Sequence, residues 1–341
     1  MIATILVLST LHPAVSDPPQ SGDQRDVVYL QTGKTIRCRV VLELQDKVAI
    51  LIGSRERWIP QSKIKRITSI QRSLDEVLTK FTASKDSVET FLHLAKMCEG
   101  RHLPHEARLF YWRILVDNPD NQKAHEALGH KRAGKSWRVQ TGSSWRSFKQ
   151  VEKQHADWGT ARVLRSEHFE VRSNAGLRRT VITLLELEVF YRHLFDLFQK
   201  SLELREVTEP IRVYVHKDQK EFPRLSNNVD AYFSNEENIL FTFLDDHGRP
   251  LMLFHEATLA VVYNLGGSKR GRKTELPGWL GQGWGDYMEG CITRKDNGRL
   301  ELDLAKRLEY RIGNLQAEKN RYSLRRILNF KKTDFSASSR Q

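Results

Sequence analysis

The chain has 341 residues, of which 39% are hydrophobic and 28% are charged; this fits about two or three globular domains and excludes extended disorder, collagen and multi-span membrane proteins. The net charge of +13 lies in the flanks, because residues 1–140 and 291–341 each carry +7 and residues 141–290 carry −1, so no cationic cleft for nucleic acid is indicated. Cys38, Cys98 and Cys291 are odd in number and lack a C-x-x-C spacing, which excludes a thiolate zinc site and a closed disulfide framework.

The N-terminus has features of a secretory signal peptide. An apolar run at residues 2–8 is followed by the small residues Ala14, Val15 and Ser16. We therefore predict a signal peptide at residues 1–16 and a secreted or periplasmic protein. A misplaced start codon and a buried strand are the alternatives. No other stretch is apolar and long enough to predict an integral membrane span.

Residues 26–70 alternate between apolar and polar positions, with turn sequences at Thr32-Gly33 and Gly53-Ser54. The pattern predicts a small, strongly bent β-barrel of SH3-like or Sm-like type. Such barrels bind peptides or nucleic acid in some proteins, and a purely structural module is the alternative.

Residues 84–132 change to a helical period and resemble one tetratricopeptide repeat. The residues that carry this resemblance are Phe91, Leu94, Ala95, Cys98, Ala107, Tyr111, Ile114 and Pro119. One repeat and a half cannot form a continuous groove, so we predict a docked helical hairpin. Residues 133–160 show no sustained period and are predicted to be a linker.

Residues 161–290 predict an α+β domain. The expected order is a strand at 166–173, a helix at 177–200, a strand at 210–215, a hairpin at 232–244, a buried helix at 251–265 and a second helix at 277–289. Residues 291–341 form a basic C-terminal segment, and its Ser-rich ending at residues 331–341 is predicted, from a resemblance to longer proteins that is described below, to mark a truncated or frameshifted copy.

A His-Glu pair interrupts the predicted buried helix. The chain contains this pair at His105, His125 and His255, and none has a second histidine four residues later. Only the pair at His255 lies in an otherwise apolar helix and is followed by a second helix rich in Trp and Gly. Because burying an ionisable pair costs several kcal/mol unless it is paired, His255 and Glu256 are candidate functional residues.

The two helices resemble the gluzincin metallopeptidases, and more narrowly an uncharacterised group of secreted bacterial proteins with "HEATH" and "WLxEGxAxY" motifs. The resemblance covers about residues 160–290 and rests on the runs Phe254-His255-Glu256-Ala257-Thr258-Leu259 and Pro277-Gly278-Trp279-Leu280-Gly281-Gln282-Gly283. It implies that His255 is a zinc ligand, Glu256 the general base and Asp286 the carboxylate that orients His255. Leu259 and Gln282 stand where the second histidine and the glutamate ligand are expected.

Two of the three ligands that the resemblance implies are therefore lost or weakened, and no cofactor is expected; zinc is expected only if another residue substitutes. His247 and His216 are the candidates for that substitution. Metal-free acid–base chemistry by Glu256, His255 and Asp286 is a second alternative. The favoured interpretation is a buried polar network that joins two helices.

The predicted function is therefore that of a catalytically inactive metallopeptidase-like protein that binds a peptide or protein. By the resemblance, the peptide pairs with a cleft-edge strand that contains Ile239, Phe241 and Phe243. The alternatives are an active zinc metallopeptidase with substituted ligands, and a scaffold in which the barrel and the helical repeat bind partners. Nucleic acid is not an expected partner.

Overall fold

A computed structural model describes residues 25–223, 230–245, 247, 250, 252–265, 278–295, 299–304 and 306. The predicted signal peptide and the tail from residue 307 lie outside them. Groups of consecutive strands and groups of consecutive helices follow one another through the described ranges, which agrees with an α+β fold. No helix in these ranges is both long enough and apolar enough to cross a bilayer.

Residues 26–68 form a five-stranded antiparallel sheet. Its strands are β1 (Asp26–Leu30), β2 (Thr35–Glu43), β3 (Lys47–Ile52), β4 (Arg55–Pro60) and β5 (Ile64–Thr68). In the order β4-β3-β2-β1-β5, the edge strands β4 and β5 do not pair in the part of the chain that the structure describes. The predicted closed barrel is thus wrong. Only Glu56 and Ile59 of β4 are even partly buried. Ile59 alone of this strand packs on the core that includes Ile64 and Ile67 of β5, so little apolar surface draws the two edges together.

Four helices follow the first sheet. They are α1 (Ile70–Ala83), α2 (Val88–Gly100), α3 (Pro104–Asp117) and α4 (Gln122–Ala127). Ser87 caps α2 by accepting the Thr90 N–H at 3.0 Å, and Pro104 begins α3, where its missing N–H costs nothing. Phe91 and Phe110 join the two helices in one buried core. Local helix-start signals and a regular apolar period therefore explain why helices α2 and α3 form and pack together.

The segment predicted as a linker contains regular structure. It holds β6 (Lys131–Ala133), β7 (Ser136–Thr141), β8 (Ser144–Ser147) and α5 (Phe148–Gln154). Trp137 stacks on the ring of His125 at 4.3 Å, and Phe148 stacks on Trp112 at 6.2 Å. The strands are too short and too polar to show a period, and these aromatic contacts to α3 and α4 stabilise them.

The second sheet is mixed. Its strands are β9 (Arg162–Arg165), β10 (Phe169–Ser173), β11 (Ile211–His216), β12 (Ala231–Ser234) and β13 (Ile239–Phe243), in the order β12-β13-β11-β10-β9. Strands β10, β11 and β13 are parallel, and the edge strands β9 and β12 run antiparallel to their neighbours.

Three helices and a small hairpin complete the described chain. They are α6 (Gly176–Leu202), α7 (Leu253–Asn264), α8 (Gly278–Cys291), β14 (Ile292–Arg294) and β15 (Leu300–Leu302). Helix α6 packs against β9 and β10, α7 packs against β12 and β13, and α8 packs against α7. One hydrophobic core runs from helices α1–α3 through this second sheet. The long amphipathic helix, the hairpin and the two late helices lie where the sequence predicted them.

Candidate functional site

The residues singled out from the sequence lie where α7 packs against α8. His255 is in the first turn of α7 and is 2% exposed. Its Nε2 atom lies 3.1 Å from Oε1 of Gln282, and its Nδ1 atom lies 3.1 Å from Oδ1 of Asp286. Gln282 itself is exposed, so this side of the site borders solvent.

One face of α8 carries all the groups that hold His255. Gln282, Asp286 and Glu289 follow one another at spacings of four and three residues, which place side chains on one side of a helix. Glu289 accepts the main-chain N–H of His255 through its Oε2 atom at 2.9 Å. Sequence reasoning missed Glu289, although its position one turn after Asp286 was an available signal.

Gly285 allows the ring of His255 to lie directly on α8. A Cβ atom at this position would stand 2.9 Å from Cε1 and Nδ1 of His255 and 3.0 Å from Cδ2. Such approaches are shorter than van der Waals contact. The sequence did not indicate this role, because α8 contains four other glycines and the close approach depends on how α7 packs.

The surroundings of His255 favour its charged form. The Nε2 atom is hydrogen-bonded to Oε1 of Gln282, whereas the Nδ1 atom makes an ion-pair contact with Asp286 that lacks hydrogen-bond geometry. A lone pair on Nδ1 would face the carboxylate unfavourably, so this contact favours a proton there. Burial opposes the charged form, but Asp286 and Glu256 outweigh it and raise the pKa of His255 above its usual value. The ring therefore favours protonation at both nitrogens.

Glu256 lies between α7 and the edge of the second sheet. Its Oε2 atom accepts the main-chain N–H of Phe233 on β12 at 2.8 Å. Burial raises the pKa of Glu256 to about 7, and the His255 cation and the Phe233 N–H oppose that rise. A carboxyl group in this range suits general acid–base chemistry, but here one of its oxygens is bonded to the main chain.

We expect Glu256→Gln to stabilise the chain at alkaline pH. The raised pKa means that the folded state binds more protons than the unfolded state, so stability falls as pH rises from 4.5, the unperturbed value, through about 7. The amide keeps an oxygen for the Phe233 N–H and removes the buried charge. The expected gain is about 1 kcal/mol above pH ~7.5, after the lost attraction to His255 is subtracted.

Urea unfolding at acid and alkaline pH checks this expectation. Glu236→Gln is the control, because Glu236 is exposed in the β12–β13 turn and should change neither stability nor its pH dependence. A Glu256→Gln protein that is less stable than the wild type at alkaline pH would contradict the burial of an unfavourable charge.

The residues at the implied zinc positions do not fit a zinc ion. Leu259 offers no lone pair, and its Cδ2 atom packs 3.3 Å from the place of a Cβ atom on Gly281. Gln282 offers only an amide oxygen, and that atom is engaged with the His255 nitrogen that would bind the metal. Within the described ranges, no group of three or more His, Cys, Asp or Glu residues is arranged to hold a metal ion.

The two remote histidines have other contacts. The ring of His216 is buried and stacks on Trp158 at 3.8 Å. Burial lowers its pKa to about 4. The main-chain N–H of His247 bonds to Asp245, and its carbonyl accepts from Arg179 at 3.2 Å. Neither histidine joins His255 in a candidate metal group of the described residues.

The strand predicted to pair with a peptide is not at an edge. Ile239, Phe241 and Phe243 lie on β13, which pairs with β11 on one side and β12 on the other. All five residues of β13 are buried, as in a central strand covered on both faces. Both sides of this strand are therefore occupied, and the assignment of β13 as the substrate strand is wrong. The edge strand beside Glu256 is β12.

Comparisons with models of protein families, with curated proteins and with solved structures found no match for this chain. The site is therefore interpreted from its own geometry.

Proposed function

We propose that this chain is a non-hydrolytic, gluzincin-like protein that binds an extended peptide segment. The observation that carries the proposal is the pair of acceptors on His255, at 3.1 Å from each ring nitrogen. A zinc ligand needs an unprotonated nitrogen, whereas the Nε2 atom of His255 is engaged with an amide oxygen and its Nδ1 atom faces a carboxylate, which favours the doubly protonated ring. In this proposal, α7 and α8 correspond to the two active-site helices of a peptidase, and the polar contacts of His255 join these helices without binding a metal.

We also propose identities for the first sheet, for helices α2 and α3, and for residues 1–16. We infer that the first sheet is an SH3-like module, supported by its strand order and by the short 3-10 turn between β4 and β5. We infer that α2 and α3 form a tetratricopeptide-like hairpin, supported by the burial of Phe91, Ala95 and Ala107. Secretion by way of residues 1–16 belongs to the same proposal.

The outer edge of β12 is the proposed peptide-binding surface. It is the last strand in the sheet order, and the N–H of Phe233 points away from β13 toward Glu256. Main-chain groups alternate along a strand, so the N–H of Ala231 points outward as well. Because Glu256 already accepts the Phe233 N–H, an added peptide strand would bond to the edge at Ala231 instead, as in other cases of strand addition to a sheet.

Selection of peptides from a random phage-displayed library tests the binding function with the full chain. Ala231→Pro removes one outward N–H and leaves the ladder to β13 intact, so selected peptides should bind at least about tenfold more weakly. Ala231→Ser keeps the N–H and is the matched control.

Two outcomes would overturn the proposal. Equal binding by the wild type and Ala231→Pro would move the binding surface to the first sheet or to helices α2 and α3. Cleavage of the bound peptide, detected by mass spectrometry and abolished by Glu256→Gln, would make the protein a working hydrolase. We expect the peptide to be recovered intact.

A further inference from the structure

A cavity lies away from the His255 site, between helices α1 and α3 on one side and helix α6 with the β14–β15 hairpin on the other. Its volume is about 360 Å³, a size that accommodates a small organic molecule. One wall is apolar and is built from Phe81, Ile182, Leu185, Val189 and Leu300. These side chains come from α1, α6 and β15, so the cavity forms only when the parts of the chain assemble.

Five guanidinium groups line the same cavity. They are Arg113 of α3, Arg178 and Arg179 of α6, Arg294 of β14, and Arg299 next to β15. The carboxylates of Asp86 and Glu186 are the acidic groups of the described lining, and Asp117 pairs with two of the arginines. Among the described residues, guanidinium groups therefore outnumber carboxylates in the lining of the cavity.

Two of the guanidinium groups are fixed before any ligand arrives. The side chain of Arg113 is 5% exposed, lies over the ring of Phe91 at 4.8 Å and pairs with Asp86 at 2.6 Å. The side chain of Arg299 is 11% exposed, lies over the ring of Phe81 at 3.8 Å and pairs with the same Asp86. Stacking and a shared carboxylate hold both planar groups in place, so a ligand does not have to order them.

Arg179 supplies positive charge that the cavity does not neutralise. Its Nη2 atom donates to the carbonyl of His247 at 3.2 Å, and no ion pair of Arg179 occurs within the described ranges. Arg178 and Arg294, by comparison, pair with Asp117 and Glu186. A guanidinium carries five N–H donors, so each of these groups can hold a carboxylate and still donate to a ligand.

We propose that this cavity binds a small organic phosphate, with its phosphate group on Arg179 and Arg294 and its apolar body against the wall around Ile182 and Leu185. A phosphate monoester carries about −1.5 to −2 at neutral pH and so complements a lining rich in guanidinium groups. Guanidinium groups recognise phosphate through paired N–H donors. The adjacent apolar wall favours an ester over inorganic phosphate.

Titration calorimetry of the full chain with phenyl phosphate at low salt tests the assignment. We expect binding at least about tenfold tighter than that of inorganic phosphate or of the dicarboxylate phthalate, and weaker binding as salt rises. Arg179→Gln should weaken phenyl phosphate binding about tenfold, because a hydrogen bond to a charged group is lost, and adding Arg294→Gln should weaken it further. Arg165→Gln, an exposed position on β9 outside the cavity, is the control.

Four outcomes would overturn the proposal. They are no binding of phenyl phosphate by the wild type, undiminished binding by a folded Arg179→Gln protein, equal binding of phthalate, and equal binding of inorganic phosphate. Circular dichroism establishes that each variant is folded. Arg179→Gln breaks no ion pair of the described residues, so it keeps the test available if the double variant does not fold.

Discussion

Replacing Gly285 with alanine is expected to destabilise the protein by about 1 to 3 kcal/mol, the range of overpacking in a filled site. The added Cβ atom would stand 2.9 Å from two atoms of the His255 ring. That ring is rigid, its Nε2 atom is hydrogen-bonded to Gln282 of α8, and its Nδ1 atom lies 3.1 Å from a carboxylate oxygen of Asp286. It cannot yield to the new atom unless α7 and α8 move apart or its polar contacts break.

Two other glycines of α8 provide matched controls. A Cβ atom on Gly283 would meet nothing within 4 Å, so Gly283→Ala should stabilise the protein by about 1 kcal/mol through helix propensity. A Cβ atom on Gly281 would meet only the flexible end of Leu259 at 3.3 Å, and Gly281→Ala should fall between the two. Urea unfolding of the three variants measures the order. Equal stability of Gly285→Ala and Gly283→Ala would contradict the packing of His255 on this helix.

Restoring the two missing ligands is expected to create a zinc site. Leu259→His supplies an imidazole four residues after His255 on the same face of α7, and Gln282→Glu converts the amide that now faces the ring into a carboxylate. The double variant should retain about one zinc per chain after dialysis, whereas the wild type should retain none. Metal analysis of the dialysed proteins measures the difference.

Three further proteins make this result specific. Each single variant should hold zinc more weakly than the double variant, because two protein ligands are fewer than a stable site needs. Adding His255→Ala to the double variant should remove the metal. A double variant that is folded but holds no zinc would show that the residues were matched to the wrong positions. About one zinc in the wild type, lost on His255→Ala, would contradict the proposed function itself.

The sequence predicted the elements whose signals are local. Helix α6 has an amphipathic period over more than twenty residues, and α7 is apolar on nearly every face. The contact between His255 and Asp286 also followed from the sequence, through the resemblance and the i, i+4 spacing from Gln282. Such features need no knowledge of how distant segments pair.

Features that depend on pairing between distant segments were not predictable in the same way. The central position of β13 depends on its pairing with β11 and β12. The sequence of β13 is apolar except for Thr242, however, and such a run is typical of a strand covered on both faces. The short strands β6–β8 are anchored by Trp137 against His125, a contact that no period reveals. Gly285 is required only because α7 lies against α8 at this point.

The charge state of His255 is the central claim, and nitrogen NMR of histidine-labelled protein near pH ~6.5 tests it most directly. We expect both ring nitrogens of His255 to resonate as protonated nitrogens and one equivalent of zinc to leave them unchanged. His255→Gln assigns the signals by their loss. An unprotonated Nε2 whose resonance shifts on addition of zinc would contradict the account, because that nitrogen would then be a working metal ligand.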